Sequence, residues 1–201
     1  MLTPGSVLFQ DDFSRRSSGW PTRHTSRAIL EYEEDHYTML VLAPHASLWS
    51  TPGLQVGAAR IEVDALHISG PDDNFYGLVC RYQDDSNFAF LIASSDGFAG
   101  IGEYRQDERR LLSGGAMLPA EPIAPRGYSN HLTAECLDDT LRLYINGLLV
   151  AEAPTDGPRS GDVGLITGSY ADPGVEIVFD NFSVQVPQPV TSAQPAPLAK
   201  H

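Results

Sequence analysis

NFYGLVCRYQDDSNFAFLIASSDGFAGIG, residues 74–102, decides the fold. It holds two apolar, aromatic runs, FYGLVCRY (75–82) and NFAFLIAS (87–94). The polar turn QDDS joins them, and SDG closes the second. Aromatic and β-branched residues favour strands, and Asp, Asn, Ser and Gly favour tight reversals. The stretch therefore predicts two antiparallel strands.

Outward from it the same period of two continues. AILEYE and YTMLVLA flank the turn EDH, and ARIEVDALHI alternates with Ile61, Val63 and Ala65 on one face and Arg60, Glu62, Asp64 and Leu66 on the other. In LRLYIN, Leu141, Leu143 and Ile145 oppose Arg142, Tyr144 and Asn146. Roughly a dozen short strands with turn signals every 8–12 residues predict an all-β sandwich or jelly roll. Helix is confined to a short turn near Ser47–Trp49.

Composition narrows the class. The 201 residues suffice for one domain with a sizeable core. A formal charge of −13 repels nucleic acid and anionic membranes, so neither is expected as a partner. No apolar run approaches the ~20 residues of a membrane span. The start, MLTPGSVLFQDDF, has neither the basic nor the apolar region of a secretory leader. Residues 1–6 read as a leader or linker remnant, 7–186 as the domain, and the Pro-rich 187–201 as a linker or tail.

Several motifs together carry a family likeness. They are DDFS and SGW near the start, the 74–102 stretch, LTAECLDDTLRLYINGLLVAE, SGDVGLITGS and VEIVFDNFSV. The chain resembles the concanavalin A-like lectin/glucanase superfamily over residues 8–186. It is most similar there to laminin G-like and 3-keto-disaccharide-hydrolase-like domains of bacterial extracytoplasmic proteins. The resemblance implies a two-sheet antiparallel jelly-roll sandwich. It places LFQDDF beside IVFDNFSV, with Phe9, Phe13, Phe179 and Phe182 packing in the core or at its rim. It also implies an extracytoplasmic home whose leader is absent from this chain. Such a scaffold hosts lectins, hydrolases and plain interaction modules, so it fixes no activity.

The residues supply candidates for each. Retaining glucanases of this superfamily carry E-x-D-x-x-E on one strand, with two carboxyls ~5–5.5 Å apart across the sugar. Here Glu62 and Asp64 match the first two positions, and His67 stands where the acid/base glutamate belongs. No catalytic set is complete, and no G-x-S-x-G, H-E-x-x-H or phosphate loop is present. For a glycan ligand, aromatic platforms and planar polar groups are needed. Glu62, Asp64, Arg81, Tyr144, Asn146 and Trp49 are the candidates. Arg81, mid-strand between Cys80 and Tyr82, calls for a carboxylate, which Glu62 or Asp64 on a neighbouring strand would supply. By alternation Cys80 and Arg81 face opposite ways.

The resemblance also brings in a structural calcium ion. Asp12, Asp180 and Asn181, with Asp11, are its first candidates, and Asp72, Asp73 and Asn74 its second; Asp-rich turns can equally be turns alone. Cys80 and Cys136 are a disulfide in an oxidising compartment and small buried hydrophobes in a reducing one. The extracytoplasmic resemblance favours the disulfide. The expected function is a non-catalytic carbohydrate-binding-like or interaction module, with a glycan or protein ligand. A glycoside-hydrolase-like enzyme using the curved sheet face and a structural subunit engaging a protein partner are the alternatives.

Overall fold

A computed structural model describes residues 3–188. Among these the regular structure is entirely β. The strands, in chain order, are β1 (Val7–Asp11), β2 (Arg23–His24), β3 (Ala28–Glu33), β4 (His36–Val41), β5 (Ala46–Ser50), β6 (Ala59–Ser69), β7 (Asn74–Asp84) and β8 (Asn87–Ala93). They continue with β9 (Phe98–Arg105), β10 (Glu108–Leu111), β11 (Leu118–Pro119), β12 (Ser129–Cys136), β13 (Thr140–Ile145), β14 (Leu148–Pro154), β15 (Asp162–Ser169) and β16 (Val175–Gln185). A nine-stranded sheet runs β14-β13-β12-β6-β16-β4-β3-β2, with β1 added along β16. A seven-stranded sheet runs β10-β9-β8-β7-β15-β5, with β11 added along β9. Every pairing is antiparallel. The two sheets form an all-antiparallel jelly-roll sandwich.

Alternation does most of the folding work. On β6, Ile61, Val63 and Ala65 are buried while Arg60, Glu62 and Asp64 are half-exposed. On β13, Leu141, Leu143 and Ile145 are buried in the same way. These rows meet Tyr76, Leu78, Leu91 and Leu165 of the other sheet in one core. The chain ends do lie together, with Asp11 opposite Phe182, and Phe9 packs edge-on against Phe182. Gly5 and Ser6 also exchange backbone hydrogen bonds with Val186, so pairing extends ahead of Val7. The Pro-rich tail lies, from residue 189 onward, outside the described residues.

Three features depart from simple alternation. The Ser47–Trp49 segment is strand β5, not a helical turn. Thr167 and Ile166 of β15 pair with Leu48 and Trp49, so Leu48 turns to the core and Trp49 away from it. Next, β7 carries a bulge, with register breaks at Cys80/Asp84 and Asp162/Gly164 and Arg81 at φ +58°. A bulge inserts an unpaired residue and re-aims its side chain. Arg81 is therefore buried beside Cys80 rather than opposite to it, and both reach the nine-stranded sheet. Cys80 is disulfide-bonded to Cys136, at the end of β12. The Arg81 guanidinium donates to Leu137 O and to Thr155 Oγ1.

The third departure is a second apolar cluster on the outer face of the seven-stranded sheet. Phe75, Val79, Phe88, Phe90, Ile92 and Ile166 are buried there, under Trp49, Tyr82, Tyr104, Leu111, Met117 and Tyr170. Strands β7, β8 and β15 are thus apolar on both faces. Glycines make this possible. Gly168 lies opposite Phe75, and Gly102 opposite Phe90, so each ring lies flat over a neighbour lacking Cβ. A Cβ on Gly168 would stand 2.0 Å from the Phe75 ring, and one on Gly102 would stand 2.3 Å from that of Phe90. Gly168→Ala is expected to cost about 1–3 kcal/mol, the range for forced overpacking. Urea unfolding measures it, and a change under about 0.5 kcal/mol, as at a neutral surface site, would show that the ring is not seated there.

Candidate functional site

The residues proposed from sequence for one ligand face fall into separate places. Glu62, Asp64 and Tyr144 share the outer face of the nine-stranded sheet. Arg60 bridges Glu62 (2.7 Å) and Glu135 (3.2 Å), and Tyr144 donates to Glu135 at 3.1 Å. Gln185 donates to the other Glu62 oxygen at 2.9 Å. Asp64 meets His131 Nδ1 at 2.7 Å and accepts from the Asn181 amide at 2.9 Å. Burial pushes the Glu62 carboxyl up, but the Arg60 guanidinium and His131 outweigh it and hold it below the usual carboxylate range. These carboxylates are cross-strand partners along one sheet face.

His67 belongs to the other face of β6, buried among core residues. Its Nε2 meets Ser69 O at 2.8 Å. It cannot share a cleft with Glu62 and Asp64, so the E-x-D-x-x-H strand does not assemble a glucanase-like set. Burial lowers its pKa below the ordinary 6.5, with Arg126 acting in the same direction against Asp72 and Glu176. The folded state thus resists protonation, while the unfolded chain takes up a proton near pH 6.5. The stability His67 contributes is present above pH 6.5 and lost as pH falls through the unfolded and then the folded pKa. Urea midpoints should therefore drop between pH 7.5 and pH 5, with His67→Gln reducing that drop; an equal drop in both proteins would contradict the assignment.

Arg81 makes no ion pair with Glu62 or Asp64, because it lies in the opposite sheet. The β7 bulge turns the side chain inward, where it ties Leu137 and Thr155 to its own sheet. Asn146 is a turn former at φ +50°. Its side chain accepts from His131 N (2.9 Å) and donates to Pro122 O (2.7 Å) and Asn130 Oδ1 (3.0 Å).

The calcium candidates Asp12, Asp180 and Asn181 border a cleft of about 530 Å³ or flank it. Asp12 is engaged as a turn acceptor for Ser14 N and Oγ. Asn181 directs its NH₂, not its carbonyl, at both Asp64 and Asp180. That donor stands between the carboxylates where a cation would sit. Among the described residues no three His, Cys, Asp or Glu side chains converge as a ligand set. The arrangement does not fit the ion. A filled site at 100-fold excess over Kd would add about 2.7 kcal/mol. Melting in excess calcium and in EDTA is expected to coincide, and a rise in Tm with calcium would contradict this.

Trp49 stands elsewhere, at the rim of the outer aromatic cluster. It packs on Phe88 (5.0 Å) and Tyr104 (5.9 Å). Its indole N–H donates to Asp85 Oδ1 at 2.9 Å, and Tyr82 OH donates to the same oxygen at 2.7 Å. Those two hydrogen bonds, helped by the Arg23 charge, hold the Asp85 carboxyl below its ordinary range against burial. Burial, and then Asp85, push the Tyr82 phenol up to about 12. Around them opens a groove of about 230 Å³, lined also by Arg23, Ser47, Ser50 and Thr51. Three segments build it: the start of β2, strand β5 and the β7–β8 turn. Asp85 reads in sequence as an ordinary turn residue, and Tyr82 as a strand end. No local signal marks either; only the fold brings them to Trp49.

No protein-family model and no curated protein matches the chain by sequence. Solved structures do share its fold. The carbohydrate binding module CBM66 from Bacillus subtilis superposes with a TM-score of 0.68 at 14% identity, over 85% of this chain and 97% of that one. A galectin-like-fold protein of unknown function from Bacillus subtilis gives 0.65 at 14% identity, over 92% and 98%. The Bacillus licheniformis beta-glucanase gives 0.64 at 9% identity, over 94% and 100%. At such identities the likeness establishes the concanavalin A-like jelly roll and nothing finer.

Proposed function

We propose that this chain is a saccharide-binding module that works outside the cytoplasm and takes its ligand in the Trp49 groove. The observation that carries the reading is the Trp49–Asp85–Tyr82 arrangement. It fixes two aromatic side chains at the mouth of an open groove through one ionised carboxylate. An aromatic surface serves the C–H face of a pyranose ring, and Ser47, Ser50, Thr51 and Asp85 offer hydroxyl partners. The centre of the same sheet face is filled by its own rings, so the rim is the part left for a ligand.

Two further facts support the reading. One structural neighbour is a carbohydrate binding module and another a beta-glucanase. The Cys80–Cys136 disulfide suits an oxidising compartment. Against a hydrolase working through Glu62 and Asp64 stands the orientation of His67. A glycan array, followed by affinity electrophoresis on each polymer that binds, tests the proposal. Retardation by at least one polysaccharide is expected. No binding across neutral and charged glycans would reject it in favour of a protein-interaction module.

A further inference from the structure

The groove belongs to a region whose charge differs from the rest of the molecule. From Phe13 to Leu30 the chain carries Arg15, Arg16, Arg23 and Arg27 and no Asp or Glu, in a protein of net charge −13. All four arginines are exposed. Among the described residues none is within ion-pair distance of a carboxylate, whereas Arg60, Arg105, Arg110, Arg126 and Arg142 all are. The segment is nonetheless held in place. Phe13 and Trp20 are buried core residues, Trp20 Nε1 donates to Asp11 Oδ2 at 2.9 Å, and Arg23 is in strand β2.

Three adjoining grooves share Arg23. The first is the Trp49 groove. A second, of about 360 Å³, adds Arg16, and a third, of about 390 Å³, adds Arg27. Two carboxylates border the series. Asp85 is engaged by Trp49 and Tyr82, and Glu31 is 3.0 Å from His24. The third groove has none. At physiological ionic strength the Debye length is ~8 Å. Distant carboxylates are therefore screened, and the local arginines set the potential that a bound chain meets.

We propose that the ligand is an anionic polysaccharide, carrying uronate carboxylates or sulfate esters. One sugar sits against Trp49, and charged neighbours lie along Arg16, Arg23 and Arg27. This rests on the saccharide-binding reading above. Guanidinium forks pair bidentately with carboxylate and sulfate-like oxyanions, which adds geometry to charge. The acidic remainder of the surface then discourages polyanions from binding anywhere else.

Affinity electrophoresis of the intact chain in polygalacturonate, dextran sulfate and neutral dextran separates the possibilities. A labelled single-stranded DNA is run as a fourth probe. Binding to at least one charged polysaccharide is expected, falling about 20- to 40-fold between 50 and 200 mM salt for some three ion contacts. The Arg16→Ser/Arg23→Ser/Arg27→Ser variant should lose at least tenfold in affinity. Arg159→Ser, which removes an arginine outside the three grooves, should retain binding, and circular dichroism checks that both variants fold. Whichever charged polymer binds identifies uronate or sulfate as the group. Equal binding of neutral dextran, or a triple variant that binds like the parent, would overturn the anionic ligand. Trp49-dependent binding of a neutral glycan would at the same time leave the saccharide reading standing. DNA binding as tight as that of the polysaccharide, or no binding by any probe, would also overturn it.

Discussion

Replacing Cys80 and Cys136 together by alanine is expected to lower the unfolding free energy by about 4 kcal/mol. The two cysteines are 56 residues apart in sequence, and each belongs to a different sheet. Closing a loop of that length removes chain entropy from the unfolded state, and the loop-closure relation gives about 4 kcal/mol at 25 °C. Natural domains have only about 5–15 kcal/mol in total. For a domain of this size each kcal/mol moves Tm by about 2–4 °C, so a fall of roughly 8–16 °C follows. Both side chains are buried, so the alanine cavities add a little to the loss. Calorimetry of the oxidised parent, the reduced parent and the double variant separates the two terms. The reduced parent should already show most of the loss. A double variant within about 1 kcal/mol of the oxidised parent would mean that the cross-sheet bond does not limit the unfolded chain as this relation requires.

Trp49→Ala should weaken saccharide binding by about 30-fold or more, the 2 kcal/mol or more typical of a central aromatic anchor. Loss of stability is also expected, because Trp49 packs on Phe88 and Tyr104 and donates to Asp85. Melting curves decide whether the variant is still folded at the assay temperature. Tyr82→Phe supplies the second arm. It keeps the ring and deletes one hydrogen bond to Asp85, worth about 0.5–1.5 kcal/mol. A few-fold loss of affinity in a protein of near-parental stability is the expected result. If folded Trp49→Ala binds as tightly as the parent, the groove is not where the ligand sits.

Much of the fold could be read before the structure. The 74–102 stretch predicted the β7–β8 hairpin and the start of β9, and alternation on β6 and β13 assigned inner and outer faces correctly. Pairing of the chain ends and the disulfide followed from the family likeness. What escaped has identifiable causes. The bulge at Arg81 places an arginine at positive φ, which no residue type announces, and it undid the expected face of Arg81; the pairing with Glu62 or Asp64 failed because β6 and β7 fall in different sheets. The outer aromatic cluster left a trace in sequence: Phe75, Val79, Phe88, Phe90 and Ile92 are as apolar as their core-facing neighbours. That doubly apolar pattern marks strands covered on both faces. Trp49 is a platform candidate in the sequence too, but in a segment expected to turn. Its companions Arg23, Tyr82 and Asp85 come from two distant segments, so only the order β5-β15-β7-β8 and the placement of β2 unite them.

The central claim is that saccharide binds at the Trp49 rim, not on the Glu62–Asp64–Tyr144 face. A ¹⁵N chemical-shift titration of the intact chain with an oligosaccharide of the bound polymer tests it most directly. The Trp49 indole N–H and the backbone amides of Tyr82, Asp85 and Ser47 are predicted to move together and saturate with one Kd. Shifts confined to Glu62, Asp64, His131 and Tyr144, with the Trp49 indole unmoved, would contradict it.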